Sequence, residues 1–276
     1  MKKILIPIDF TLNSFQTIDY VLDLFKDEAC DFYILNTYTY NTNSLDAIQM
    51  LQVDDDWFEQ PKQQSIRQLE ALVDRYTSNL KYVNHRFYAI SECLSLLDAI
   101  KKSVNTLSID LIILTSKKEN NIGEKTKNIV DKIRTCPVLL VPPHASACKK
   151  NNLTIASDFK EKINPLEINK FLNILENTNL QITILVLGKQ NKLSANASDN
   201  LETILKSMQP LLRTPIQLLY AGTFCKLKDY ALSHLDGIMC IVDKRPDVFR
   251  KIGLFRSKIF STLKQLRTNT VLTIHQ

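Results

Sequence analysis

The sequence predicts an α/β protein built from two similar domains, and three observations lead to this prediction. Short runs rich in β-branched residues alternate with segments of helical periodicity along all 276 residues. The spacing of the apolar runs is typical of βαβ units, which form a parallel sheet covered by helices on both faces. The order of the elements also repeats once, which indicates two homologous halves in tandem.

The repeat is visible in three pairs of segments that occur in the same order in each half. The pairs are 2–10 with 151–159, 108–118 with 234–245, and 134–143 with 267–276. The first pair reads "KKILIPIDF" and "NNLTIASDF", so each copy follows an apolar run with Asp-Phe. The boundary is expected at "ACKKNN", which divides the chain into domains 1–146 and 147–276.

Five strands alternate with four helices in the predicted first domain. The strands are 3–8, 31–38, 81–90, 110–115 and 137–142, and the helices are 14–28, 63–80, 93–107 and 124–134. In the first helix, Ile18, Val21, Leu22 and Phe25 share one apolar face. The segment 41–61 has no counterpart in the second half and is expected to be a lid, a partner surface or a mobile loop.

The predicted second domain repeats this alternation. Its strands are 153–157, 180–188, 215–222, 237–243 and 270–275, and its helices are 165–178, 197–213, 226–235 and 257–267. Each domain is therefore expected to contain a five-stranded parallel sheet.

Composition narrows the classes of function. The net charge of +6 permits acidic partners, but the sequence has no nucleic-acid-binding signature. No apolar run is long enough to span a membrane, and Asp9 interrupts the apolar start too early for a signal peptide. The six cysteines show no CxxC pair or framework spacing, so we expect reduced thiols in a cytoplasmic protein, with no metal site.

Three stretches resemble the universal stress protein family in its tandem two-domain form. They are "KKILIPIDFTLNS" at 2–14, "DLIILTS" at 110–116 and "IVDKIRTCPVLLVPP" at 129–143. The resemblance implies two Rossmann-like (adenine nucleotide alpha hydrolase-like) domains, each with a five-stranded parallel sheet covered by helices. It also implies that the domains pair within the chain through their fifth strands, as a pseudo-dimer, and a further homodimer is compatible with it.

Members of this family that bind ATP carry a Gly-x2-Gly pair, a linker, and then a Gly followed by Ser or Thr. Such glycines let backbone N–H groups approach phosphates at a helix N-terminus. Here Thr115 and Lys118 stand at the first two glycine positions, the linker to Gly123 is short, and Glu124 replaces the hydroxyl residue. Gly123 and Thr126 are interpreted as the remains of a helix start rather than a working ATP site.

The second half offers a different candidate. Arg256 and Ser257 fall where the Gly-Ser pair would stand, within a basic stretch. The basic residues are Lys244, Arg245, Arg250, Lys251, Arg256 and Lys258. Two interpretations remain open, a solvated face in which Ser257 caps the last helix, and an anion or nucleotide site built from side chains.

Asp9 and Asp158 each follow the first strand of a half. The resemblance implies that this acid helps to hold the nucleoside in nucleotide-binding relatives. A carboxylate in this position also commonly caps the following turn and helix, so both roles remain open.

The sequence contains no Ser-His-Asp or Cys-His arrangement and no phosphate-loop motif, so no catalytic residues and no enzyme activity are expected. The predicted function is a stress-response protein with a degenerate nucleotide site in its first domain, acting through an unknown protein partner or small ligand. The alternative is a regulatory module that binds ATP through the basic loop of its second domain.

Overall fold

The computed structural model describes residues 1–40, 55–116, 123–143, 145, 152–212, 214–221, 225–243, 262, 263 and 265–275. We call residues 1–146 the first half and residues 147–276 the second half. The strands are β1 (Lys2–Pro7), β2 (Cys30–Thr37), β3 (His85–Glu92), β4 (Leu111–Thr115), β5 (Val138–Val141), β6 (Asn152–Ser157), β7 (Gln181–Val186), β8 (Gln217–Tyr220), β9 (Ile238–Asp243) and β10 (Thr270–His275). The helices are α1 (Leu12–Leu24), α2 (Asp55–Thr77), α3 (Leu96–Leu107), α4 (Glu124–Lys132), α5 (Pro165–Ile174), α6 (Ala195–Met208) and α7 (Cys225–Ser233).

All ten strands form one sheet in the order β3-β2-β1-β4-β5-β10-β9-β6-β7-β8. Neighbouring strands within each half are parallel, whereas β5 and β10 are antiparallel, with Leu139 opposite Leu272. The fifth strands of the two halves are thus paired. Because the direction of the strands reverses at this point, the carboxyl ends of β1 and β6 lie at opposite edges of the sheet.

Helices cover both faces of the sheet. One apolar cluster joins the strands to α1, α2, α5 and α6, and a second cluster joins them to α3, α4 and α7. Within β1, Ile4 and Ile6 belong to the first cluster and Leu5 belongs to the second. Strands buried on both faces explain why the sequence shows apolar runs instead of a polar–apolar alternation. The predicted α/β class with parallel strands is confirmed.

Three predicted boundaries in the first half were wrong by four residues or more. Helix α1 ends at Leu24 rather than at Glu28. Helix α2 begins at Asp55, eight residues before the predicted start, and continues through Pro61. Segment 41–61 has no counterpart in the second half, so the helix was expected to begin only after it. Residues 55–61 therefore belong to this helix, while residues 41–54 and the side chains of Trp57 and Phe58 lie outside the described part of the chain. Strand β3 begins at His85 rather than Lys81, because Asn79 caps a short 3₁₀ turn over Leu80–Tyr82.

A buried carboxylate joins the two halves. Glu28, between α1 and β2, is fully buried, and its oxygens accept hydrogen bonds from the backbone N–H groups of Asn177 and Thr178 at 2.7 and 2.9 Å. The Asn177 amide and the Thr178 hydroxyl also donate to it, and the Lys2 ammonium lies 2.5 Å away. Burial alone would raise the pKa of Glu28, but the Lys2 and Asn177 hydrogen bonds, the Lys2 charge and the Thr178 hydroxyl hold it below its ordinary value.

His85 sits in an aromatic cluster at the start of β3. Its ring lies 5.0 Å from Phe32 and 6.1 Å from Tyr82, and burial lowers its pKa. The folded protein therefore favours the neutral imidazole, and the unfolded chain takes up a proton first as the pH falls below about 6.5.

We expect the free energy of unfolding to fall as the pH is lowered from 7.5 to 5.5, with a His85 contribution to the slope of at most about 1.4 kcal/mol per pH unit. The check is urea unfolding of the wild-type protein and of His85→Phe across this range. The variant should show a shallower loss of stability, and equal slopes would contradict a neutral buried His85.

None of the helices in the described residues is long and apolar enough to cross a membrane.

Candidate functional site at the carboxyl ends of the strands

Strand β1 pairs with β2 on one side and with β4 on the other. The chain connections leave β1 and β4 in opposite directions across the sheet, which creates a switch point between them. Open α/β sheets bind ligands outside the carboxyl ends of their strands at such a point. Asp9, which follows β1, and Gly123 and Thr126, which follow β4, are therefore brought to one edge.

Asp9 is engaged with the start of α1. Its Oδ1 accepts a hydrogen bond from the Thr11 hydroxyl at 2.6 Å and one from the Thr11 N–H at 3.3 Å. Thr11 is the N-cap of α1, and its own Oγ1 accepts from the Ser14 N–H. Phe10, between the two, has a positive φ of 56°, which turns the chain sharply from strand to helix. The carboxylate thus orients the capping residue of α1.

Side chains from α2 and β3 satisfy the polar groups where β1 and β2 end. The Asn36 amide donates to the Ile8 carbonyl at 3.0 Å, and its Oδ1 accepts from the Ser65 hydroxyl at 2.8 Å. Ser65 also lies 2.8 Å from the Ser91 hydroxyl. Asn36 and Ser65 are both buried, so this network fixes the end of β1 from inside the protein.

The end of β4 is tied to α1. The Thr115 hydroxyl donates to the Thr17 hydroxyl at 3.0 Å, and Thr17 is buried. The next residue, Ser116, donates its N–H to the Val141 carbonyl at 2.8 Å. Thr115 stands at a glycine position of the family motif. Its side chain packs against α1, whereas a glycine there would let a phosphate approach the backbone N–H groups.

The loop after β4 leads into α4, whose N-cap is Gly123. No side chain caps this end, and Glu124 is the first helical residue. A Cβ built on Gly123 would meet no atom within 4 Å among the described residues, so nothing there requires a glycine. Thr126 is half-buried in the first turn, and Lys118 lies outside the described residues.

The second half repeats the turn after β1. Asp158 Oδ1 accepts from the Lys160 N–H at 3.2 Å, and Phe159 has a positive φ of 53°. Phe159 is fully buried, and its carbonyl accepts from the Asn200 amide at 3.0 Å. Arg256 and Ser257 lie outside the described residues, so the predicted basic site is not placed by the structure. Asp158 lies at the edge of the sheet opposite to Asp9.

Metal ligands and reactive thiols do not gather at either edge in the described residues. No group of three or more His, Cys, Asp or Glu side chains could hold a metal there. Burial raises the pKa of the thiols of Cys30 and Cys136 to about 12, so these cysteines are protonated and unreactive at neutral pH.

Sequence analysis missed the Asn36–Ser65–Ser91 network and the buried Glu28. One signal for Asn36 was present, because an amide interrupts the apolar run "FYIL" at the end of a buried strand. Glu28 carries no such signal, since its partners lie about half the chain away and it reads as an ordinary helix-end acid.

No protein-family model matches the sequence, and no curated protein matches it closely. The structure is similar to a universal stress protein from Archaeoglobus fulgidus, with 12% identity, a TM-score of 0.70 and coverage of 99% of this chain and 98% of that one. It is also similar to a Pseudomonas aeruginosa protein described as a universal stress protein, with 11% identity, a TM-score of 0.59 and coverage of 100% and 93%.

A further similar structure is the cytoplasmic domain of a prokaryotic cation chloride cotransporter, with 12% identity, a TM-score of 0.52 and coverage of 99% and 94%. At these identities the comparisons establish the fold. Together with the ten-stranded sheet they show that this chain shares the fold of these universal stress protein structures across both of its halves.

Proposed function

We propose that this chain is a tandem universal stress protein that acts in a stress response through contacts with a protein partner, without catalysing a reaction. In this proposal the nucleotide site of the first half is degenerate and ATP is not its cofactor. The pairing of β5 with β10 supports a division into domains 1–146 and 147–276 that assemble within the chain.

The observation that carries the proposal is the start of α4. A phosphate at a helix N-terminus gains from free N–H groups and from the positive end of the helix dipole. Glu124 places its own negative charge in this first turn, directly after the uncapped Gly123. Two like charges 4 Å apart repel by about 1 kcal/mol in water and by about 4 kcal/mol near a protein surface. The helix end therefore favours its own carboxylate over a phosphate.

The contacts around Asp9 support the same proposal. Asp9 Oδ1, one of the two carboxylate oxygens, accepts two hydrogen bonds from Thr11, the N-cap of α1, so this oxygen is engaged within the protein. Thr115 is likewise bound to Thr17. At this edge the side chains that would face a nucleotide are used to hold α1 in place.

The fold by itself is compatible with a role in protein contacts. Similar structures include universal stress proteins and a cytoplasmic domain of a cotransporter, so this architecture is used both alone and as part of a larger assembly.

Isothermal titration calorimetry with ATP and magnesium tests the proposal. We expect no saturable heat for the wild-type protein at ATP concentrations up to about 1 mM, the range in which binding free energies are near −4 kcal/mol. Saturable binding that is lost in Asp9→Ala would contradict the degenerate first site.

Two variants of the second half test the alternative function, in which a nucleotide binds to the basic loop of that half. Binding that persists in Asp9→Ala but is lost in Asp158→Ala and in Ser257→Ala would assign a nucleotide site to the basic loop of the second half. The protein would then be a nucleotide-dependent regulatory module.

A further inference from the structure

A cavity of about 610 Å³ lies at the edge of the sheet away from Asp9, where the first half meets α5 of the second half. Lys2, Asp110 and Pro137, at or directly before the starts of β1, β4 and β5, contribute one wall. Lys170 and Asn173 of α5 contribute the other. Its volume is within the range of small-molecule sites, about 300–1,000 Å³. A molecule bound there would contact both halves.

The wall from the first half presents a carboxylate, that of Asp110. Helices α3 and α4 both end nearby, with Ser108 as the C-cap of α3 and Thr135 just after α4. The carbonyl end of α4 carries partial negative charge, which adds to the charge of the carboxylate. At the end of α3, the Leu107 carbonyl accepts a hydrogen bond from the Lys3 ammonium at 2.9 Å, which offsets the charge of that helix end. Lys2 also lines the cavity, but its charge is compensated by Glu28 and Glu176, at 2.5 and 3.1 Å.

One carboxylate oxygen of Asp110 is available to accept a hydrogen bond from a ligand. Its Oδ2 accepts the Lys3 N–H at 2.8 Å, and the Lys3 carbonyl accepts the Asp110 N–H at 2.9 Å. These bonds fix the residue at the start of β4. Its Oδ1 accepts no hydrogen bond within the described part of the chain, and a carboxylate oxygen in such a position can accept from an ammonium group.

The opposite wall offers a positive charge. Lys170 of α5 forms an ion pair with Glu167 at 2.7 Å, one turn earlier on the same helix. The Lys170 side chain is 60% exposed and the Glu167 side chain 23%, so solvent screens the pair and its contribution is about 1 kcal/mol. The ammonium group can therefore turn to an anionic group in the cavity at little cost.

The remaining lining suits a small amphipathic molecule. Asn105 and Asn173 provide amides that can both donate and accept hydrogen bonds. Val104, Ile109 and Ile174 provide apolar surface between the polar groups. Charges of opposite sign on facing walls, with amides and aliphatic groups between them, match a molecule that carries both an ammonium and a carboxylate group.

We propose that this cavity binds a zwitterion, an α-amino acid or a dipeptide, with the ammonium group at Asp110 and the carboxylate group at Lys170. The site is separate from the carboxyl ends of the strands and does not depend on whether a nucleotide binds there. Because it touches both halves next to the Lys2–Glu28 junction, a bound zwitterion stabilises their association.

Thermal unfolding with a panel of probes tests this proposal. The probes are the standard L-amino acids and glycyl-L-leucine, each at about 10 mM, because a ligand of millimolar or tighter Kd raises the Tm at this concentration. We expect at least one probe to raise the Tm in a dose-dependent way. Its N-acetyl derivative, which lacks the ammonium group, and its amide, which lacks the carboxylate, should not.

Two variants and a matched control then locate the site by calorimetry. Asp110→Asn keeps an oxygen for the Lys3 N–H, and we expect it and Lys170→Met to weaken binding about tenfold or more, a change of about 1.4 kcal/mol. Lys206→Met is the control, because Lys206 also pairs with a glutamate on its own helix but does not line the cavity. Three results would each overturn the proposal: a panel without any Tm shift, blocked derivatives that bind as tightly as the parent probe, or Asp110→Asn and Lys170→Met variants that bind the probe as tightly as the wild-type protein does.

Discussion

Replacing Glu28 by alanine is expected to lower the free energy of unfolding by about 3 kcal/mol or more, because it breaks a buried and fully hydrogen-bonded charge. The change leaves the N–H groups of Asn177 and Thr178 without their acceptor and removes a partner of Lys2. Urea unfolding followed by circular dichroism measures the loss. Glu28→Gln keeps one acceptor oxygen without the charge, so its loss should be smaller.

Glu176→Ala is the matched control for this prediction. Glu176 also binds the Lys2 ammonium, at 3.1 Å, but its side chain is 63% exposed, so we expect a change below about 1 kcal/mol. Equal effects of Glu28→Ala and Glu176→Ala would contradict the role of Glu28 as the buried junction of the two halves.

The pH dependence of the wild-type protein gives a second readout of Glu28. A carboxyl group whose pKa is lowered by folding stabilises the protein above its unfolded pKa, and this stabilisation is lost as the pH falls through the folded pKa. We therefore expect Glu28→Gln to be less sensitive to acid than the wild-type protein below about pH 4.5, outside the range in which His85 acts.

Phe159→Ala is expected to lower the free energy of unfolding by about 3–5 kcal/mol, the usual cost of removing a buried aromatic ring. Phe159 has no exposed surface, and it packs in the apolar cluster that also contains Ile163 and Phe171. The loss should be visible as a lower urea midpoint with an unchanged dependence on urea concentration.

Phe10→Ala is the matched control in the first half. Phe10 has nearly the same positive φ, 56° against 53°, so any backbone strain is the same for both alanine variants and cancels. Because Phe10 is only half-buried, its removal should cost about 1–2 kcal/mol. A loss at Phe10 as large as that at Phe159 would show that the turn, and not burial of the ring, determines the effect.

Much of the fold could be predicted because it depends on local patterns. The apolar runs of β1, β4 and β5 are short, rich in branched residues and bounded by polar residues, and the repeat of Asp-Phe after β1 and β6 shows where each half begins. Helix ends were less certain. Helix α2 begins at Asp55, within the segment that has no counterpart in the second half, and it continues through Pro61 although proline disfavours a helix interior.

The candidate site could be predicted only in part. The sequence placed Asp9 and Gly123 at one edge, since both follow neighbouring parallel strands. It left open whether Asp9 holds a nucleoside or caps a helix, because this depends on the Thr11 hydroxyl 2.6 Å away. The cavity beside Asp110 and Lys170 was not predictable, because its walls come from segments that only the pairing of β5 with β10 brings together.

The most direct test of the degenerate first site is an NMR titration of the ¹⁵N-labelled protein with ATP and magnesium, which observes the backbone N–H groups of Gly123, Glu124 and Thr126. These groups would surround a phosphate at the start of α4 and would shift if one bound. We expect no saturable shift at these three residues. Saturable shifts there, which disappear in Asp9→Ala, would contradict the proposal and show that the first half binds the nucleotide.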